Sequence, residues 1–243
     1  MSKIIYIRIK LNVFEYKENV KTQGKEVKGF TKEWIENRID IFMNYTLKSL
    51  KNQTNQNFLA RVIYHHSTEK IVKQTLAKYD ELPNNVKFLT RKQYNQDILE
   101  VIKGHDYLYF VRLDSDDMYH KSYIQKLHDY QPKKETKALI NQKGYVYDSI
   151  NNRLIEFFHK SPPFFTFIFK VEEFLSGVRW YKTEHGHTGV IKLPHEILQG
   201  RNYIFHAHNN NVIRKEGYFN SKKYKQIHKS KVRQILKQFI GKK

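Results

Sequence analysis

The chain has no cysteine among its 243 residues. That excludes disulfide staples and thiolate metal sites, so any metal must be held by carboxylates, histidines, carbonyls or water. Long apolar runs are missing as well, and no stretch approaches the length of a membrane span. The first residues, MSKIIYIRIKLNVFEYKE, alternate apolar and basic side chains without the continuous apolar block of a signal peptide. A cytoplasmic protein is expected, held at the inner face of the cell membrane by charge if it is held there at all. No internal repeat is visible. Acid is in short supply too: 24 Asp and Glu stand against 44 Lys and Arg, a formal net charge of +20. A compact state carrying that field favours anionic partners such as phosphates, nucleic acid or acidic lipid headgroups.

What is present alternates between strand and helix. After a first strand and a polar stretch at 17–28, Thr31 offers a helix N-cap. Ile35, Ile39, Phe42, Met43, Leu47 and Leu50 then recur at the spacing of one buried helical face. FLARVIY (58–64) reads as a strand, 68–79 as a helix, 86–89 as a short strand and 91–103 as a helix, the signature of parallel βαβ units. YLYFVRL (107–113) reads as a central strand covered on both faces, followed by a helix over 118–130. Beyond Pro132, GYVYD and RLIEFF flank an SINN turn as a β-hairpin, and PPFFTFIFK adds a further strand. These later strands are expected to extend the same sheet in antiparallel fashion.

Against the positive background, FVRLDSDD (110–117) gathers Asp114, Asp116 and Asp117 at the carboxyl end of the central strand, where open α/β sheets bind ligands. A lone aspartate there would cap a helix or form a turn. Three within four residues repel one another, so some must be protonated, solvated or neutralised by a cation; a hard divalent ion, Mn²⁺ or Mg²⁺, is the economical solution and keeps positions open for phosphates, a structural turn being the alternative. Arg112 offsets part of the charge. Arg8 and Lys10 alternate along the first strand and could reach phosphates, a basic strand edge being the plainer reading. Trp34 and Arg38, four residues apart on one helix face, read as a structural pair.

RLDSDD followed by a helix resembles the D-x-D segment of GT-A-type glycosyltransferases. With Arg8, Trp34, Arg38, Phe42, YTLKSLKNQTNQNF (45–58) and HNNNV (208–212), the chain is similar to a bacterial rhamnosyltransferase family of the glycosyltransferase 2-like group. The resemblance spans most of residues 1–213. It implies a GT-A-like α/β fold: a mixed central sheet, Rossmann-like in its N-terminal half, with antiparallel additions. It also implies transfer of a sugar from a nucleotide-sugar donor to a hydroxyl of a glycan or cell-envelope acceptor. Asp114 would contact the donor ribose or a metal-bound water, together with Arg8, Arg112 and Ser115. Asp116 would bind the metal directly, Asp117 would orient neighbours or cap the next helix, and His208 would complete the metal site with His206 as its competitor. In WYKTEHGHTGV (180–190), where the superfamily places an acidic base, Glu184 is the first candidate and His185 the second, a solvated loop being the alternative. Gly186 and Gly189 permit a mobile loop there.

Residues 214–243 form a separate basic segment. Ile227, Val232, Ile235, Leu236, Phe239 and Ile240 make one apolar stripe on a helix whose other face is basic. Such a helix either lies on an anionic membrane surface or docks on the domain spanning 1–213 with its basic face solvated. From other classes, a nucleic-acid-binding module or a metal-dependent nuclease or phosphotransferase would use the same charge and aspartates. No nucleic-acid fold signature accompanies them, and the aromatic runs YLYF and PPFFTFIFK belong to strands.

Overall fold

A computed structural model of the protein describes residues 2–13, 28–208 and 216–241. Positions 17–27 of the polar stretch and 209–212 of HNNNV lie outside the described residues. Strand β1 (Lys3–Lys10) is followed by α1 (Lys32–Ile41), a π turn (Phe42–Thr46) and α2 (Leu47–Lys51), which run as one rod. The Thr31 side chain caps the rod by accepting from the Trp34 amide at 3.2 Å, a bond that stabilises a helix by about 1 kcal/mol. The π turn has a cause in the sequence. Buried Phe42 and Leu47 are five residues apart, and the Leu47 amide donates to the Phe42 carbonyl, so the wide turn keeps both on the core side.

Next come β2 (Leu59–Tyr64), α3 (Glu69–Leu76), β3 (Val86–Thr90), α4 (Arg91–Val101) and β4 (Tyr107–Asp114). Strands β3, β2, β1 and β4 are parallel and adjacent in that order. Their alternate residues face two layers. Ile5, Ile7 and Ile9 pack with Ile35, Ile39 and Val72 on one side, and Tyr6, Leu108 and Phe110 pack with Tyr94 and Ile98 of α4 on the other. The main sheet is completed by β6 (Ala138–Ile140), β9 (Phe165–Lys170) and β10 (His195–Ile197), with β9 antiparallel to both β4 and β6. Seven strands in the order β10-β6-β9-β4-β1-β2-β3 give the expected mixed central sheet, parallel in its N-terminal half with an antiparallel addition.

Two expectations need correction. The helix expected over 118–130 begins only at α5 (Tyr123–Asp129), because Met118–Tyr119 form β5 and pair with β11 (Arg201–Ala207). The hairpin, β7 (Lys143–Asp148) and β8 (Arg153–Phe158), joins β5 and β11 in a second sheet ordered β5-β11-β7-β8 instead of extending the first. Asn141 supplies the reason. Fully buried, its amide donates to Tyr123 Oη and the Phe164 carbonyl and its oxygen accepts from Asn202. A buried polar side chain so tied fixes the chain where β6 ends and turns it out of the main sheet. The second sheet then closes tightly, for the Tyr203 ring occupies the space that any side chain at Gly144 would need.

The remaining helices are α6 (Val171–Leu175), α7 (Glu216–Asn220) and α8 (Lys229–Ile240). In α8, Val232, Leu236, Phe239 and Ile240 are buried with Met118 and Leu154. Asn52 Nδ2 donates to the Phe239 carbonyl at 3.1 Å, and the Lys121 amide donates to the Gln238 carbonyl at 2.8 Å. Of the two arrangements open for the apolar stripe, the helix therefore adopts the docked one, with Lys229, Lys231, Arg233 and Lys237 exposed. Among the described residues, no helix is long and apolar enough to cross a membrane.

Candidate active site

The carboxyl ends of β1 and β4 open onto a cavity of about 730 Å³ between the sheet, α4 and the segment after α6. Arg8 lies in register with Arg112, and Lys10 with Asp114, so strand geometry alone brings these four side chains to one patch of the sheet. All four line the cavity, together with Arg179, Trp180, Lys182 and His187. Asp114 is the only acid among its described lining residues, and both its oxygens lie 3.4 Å from Arg112 Nη2. The Arg8 guanidinium sits 5.8 Å from the centre of the Trp180 ring. Ser115 is buried and lies outside the lining.

Asp116 takes part in a second, drier cluster. Its Oδ2 meets Arg38 Nη1 and His208 Nε2, each at 2.9 Å, and all three side chains are about a tenth exposed or less. Arg38 is itself held by the Trp34 ring at 5.0 Å. Asp117 neither caps a helix nor faces the cavity. It is fully buried, and its Oδ1 accepts the His206 amide at 2.9 Å, fastening the end of β11 to the aspartate turn. His206 directs its Nδ1 to the Asp116 carbonyl at 3.1 Å, and its ring packs 4.1 Å from Tyr45. His208, rather than His206, thus reaches the Asp116 carboxylate.

A divalent ion suits part of this arrangement. Asp116 Oδ2 and His208 Nε2 now share a hydrogen bond at 2.9 Å, which an ion held by both would replace. A carboxylate and an imidazole are donors that Mn²⁺ or Mg²⁺ accepts, with water and phosphate oxygens filling the other positions. Among the described residues no group of three His, Asp or Glu side chains is placed to hold a metal ion.

The acceptor-side candidates separate clearly. Glu184 pairs with Lys192 at 2.6 Å and its side chain is 71 % exposed. His185 is exposed with φ 58°, and neither residue lines the cavity. His187, two residues on, does line it. The turn that aims it requires Gly189, where a Cβ would fall on the Glu184 carbonyl. Burial first, then Arg112 and His159, lower the His187 pKa below its ordinary value, and Asp114 opposes them.

Two residues therefore carry more than the sequence indicated. Arg38 read as structural, and the i, i+4 spacing with Trp34 is a local signal that says nothing of Asp116. His187 shares its segment with Glu184 and His185, and the left-handed turn at His185 and Gly186 decides which imidazole turns inward.

A family model described as "Putative rhamnosyl transferase" matches residues 14–166. No curated protein matches the chain. Similar solved structures include the 4-diphosphocytidyl-2C-methyl-D-erythritol synthase of Anaerococcus prevotii DSM 20548. It is 10 % identical over 90 % of this chain and 94 % of that one, with a TM-score of 0.36. S. aureus TarS is 12 % identical over 85 % of this chain and 37 % of its own length, with a TM-score of 0.44. S. aureus TarS 1-349 in complex with UDP is 13 % identical over 96 % and 69 %, with a TM-score of 0.43. At these identities and TM-scores none of the three bears on what the chain does.

Proposed function

The chain belongs to the family described as "Putative rhamnosyl transferase", a family of glycosyltransferases, and from that premise we propose a reaction. It moves a sugar from a nucleotide-sugar donor to a hydroxyl of a glycan or cell-envelope acceptor. The observation that carries this reading is the cationic cavity at the ends of β1 and β4, where Arg8, Lys10 and Arg112 stand beside one carboxylate. Cations fixed on strands need no reorganisation when a diphosphate leaves, and in a partly enclosed site they act more strongly than in water. Arg8, Lys10 and Arg112 hold the donor diphosphate, and Asp114 accepts hydrogen bonds from donor hydroxyls. Asp116 and His208 would hold Mn²⁺ or Mg²⁺, which supplies charge neutralisation for the departing diphosphate.

His187 is the base in this scheme. With its pKa lowered by burial and by Arg112, it removes the proton of the acceptor hydroxyl as the oxygen attacks the anomeric carbon and the bond to the diphosphate breaks. The aromatic side chains that a nucleic-acid reading would use for stacking are in the core, Tyr109, Phe110, Phe165, Phe167 and Phe169 among them. That favours a small activated sugar over a polynucleotide.

A panel of nucleotide-sugars, including activated rhamnose, tests the donor assignment by thermal shift with and without Mn²⁺. A true donor at a hundred times its Kd stabilises by about 2.7 kcal/mol, a rise of several degrees in a chain of this size. If no member raises the melting temperature, the donor reading is wrong. The exposed basic face of α8 is proposed to lie towards an anionic membrane surface. Co-sedimentation with phosphatidylglycerol vesicles should fall as salt rises, and charge reversal at Lys229, Lys231 and Arg233 should abolish it. Binding that ignores both would overturn the assignment.

A further inference from the structure

The cavity has more cationic groups than one diphosphate needs. A sugar nucleotide's diphosphate carries two negative charges, and the inner row of Arg8, Lys10 and Arg112 already supplies three cationic side chains for it. Arg179 and Lys182 stand apart from that row. They belong to the exposed segment after α6, line the same cavity, and form no ion pair with a carboxylate among the described residues. Arg179 is steadied over the Phe174 ring at 5.0 Å. Between them Trp180 is anchored edge-on against Phe167 at 4.9 Å and Phe110 at 6.3 Å, yet remains 44 % exposed. Two unpaired cations flanking a fixed, half-open indole make a platform for a sugar ring that bears a negative charge.

We infer that Arg179 and Lys182 form a second anion subsite on the cavity rim, which takes a phosphate or carboxylate carried by the acceptor. The inference rests on the donor reading for its division of labour: the inner row binds the diphosphate, and the rim binds the acceptor's charge. An acceptor so held places its hydroxyl beside His187, which lines the same cavity. A neutral acceptor would leave the rim pair unused.

The protein holds only two tryptophans, Trp34 and Trp180, so Trp34→Phe leaves Trp180 as the sole reporter while keeping a ring beneath Arg38. In that background UDP, CDP, GDP and dTDP are titrated in turn, and glucose 6-phosphate, glucuronate and glucose are then added at saturating nucleoside diphosphate. The expected result is a second saturable change in Trp180 emission with glucose 6-phosphate or glucuronate and none with glucose, the two anions separating a phosphate site from a carboxylate site. Arg179→Gln/Lys182→Gln should weaken that second response by about tenfold or more, the loss of one charge-assisted contact being worth that much. The response to the nucleoside diphosphate should stay within about twofold. The rim subsite is overturned if neither anion gives a second response, if the anions merely displace the nucleoside diphosphate, or if the double variant responds like its parent. Silence to all four nucleoside diphosphates would instead count against the donor reading, and the rim is then judged by the two anions alone.

Discussion

Asp116→Asn should lower sugar transfer by about a hundred- to a thousandfold and also cost stability. Both effects come from one oxygen. Oδ2 of Asp116 meets the Arg38 guanidinium and the His208 ring at 2.9 Å in a cluster that is about nine-tenths buried. The variant leaves the Arg38 charge buried beside a neutral amide, and breaking such a pair costs roughly 3–5 kcal/mol. The activity loss has a separate origin, removal of the carboxylate proposed to hold the cation. A second variant separates the two: Arg38→Gln/Asp116→Asn removes both charges, so it should regain much of the melting temperature and none of the turnover. Turnover measured with Mn²⁺ and the donor found by thermal shift decides the matter. Wild-type turnover in Asp116→Asn would sink the proposed metal role, and recovery of activity in the double variant would mean that unfolding alone explained the loss.

His187→Asn is the other large effect, a fall in kcat of about a hundred- to ten-thousandfold, as expected for removal of a general base. Glu184→Gln should leave kcat within about twofold, since its exposed carboxylate is occupied by Lys192. The pH profile gives an independent reading. Burial, Arg112 and His159 depress the His187 pKa below 6.5, so kcat/KM should rise with pH through a step below the ordinary histidine range and then stay level. The linkage has the same sign. The unfolded chain binds the proton more readily, so the contribution of His187 to stability is present above pH 6.5 and is lost as pH falls through the depressed folded-state pKa. Full activity in His187→Asn, or its loss in Glu184→Gln, would return the base to Glu184.

The parts of the fold that were legible in the sequence are those with a local signal. Thr31 and the spacing of Ile35, Ile39 and Leu50 describe one buried face, and the apolar run of β4 announces a strand covered on both sides. The aspartate turn was legible because three like charges in four residues violate a general preference. What escaped depends on contacts between distant residues. Asn141 reads as an ordinary polar residue until Asn202 and Tyr123 meet it, and that meeting sends the hairpin into a second sheet. Arg38 pairs with an acid that lies 78 positions away, a contact no periodicity encodes. His185 and His187 have the same side chain, and which of them faces the cavity is set by backbone angles.

The docking of α8 has a bearing on how the molecule assembles. Met118, directly after the aspartate turn, is sealed under Val232, Leu236, Phe239 and Ile240, residues synthesised nearly half the chain later. Domains tend to fold from the N-terminus during synthesis, so a nascent chain holds β1 to β4 and its aspartates well before it can cover β5. Until α8 arrives, the strand behind Asp116 and Asp117 lacks its apolar lid and the turn has no fixed floor. Docking of the C-terminal helix then completes the apolar packing beneath the aspartate turn, so a segment made late seals the core next to acids laid down well before it.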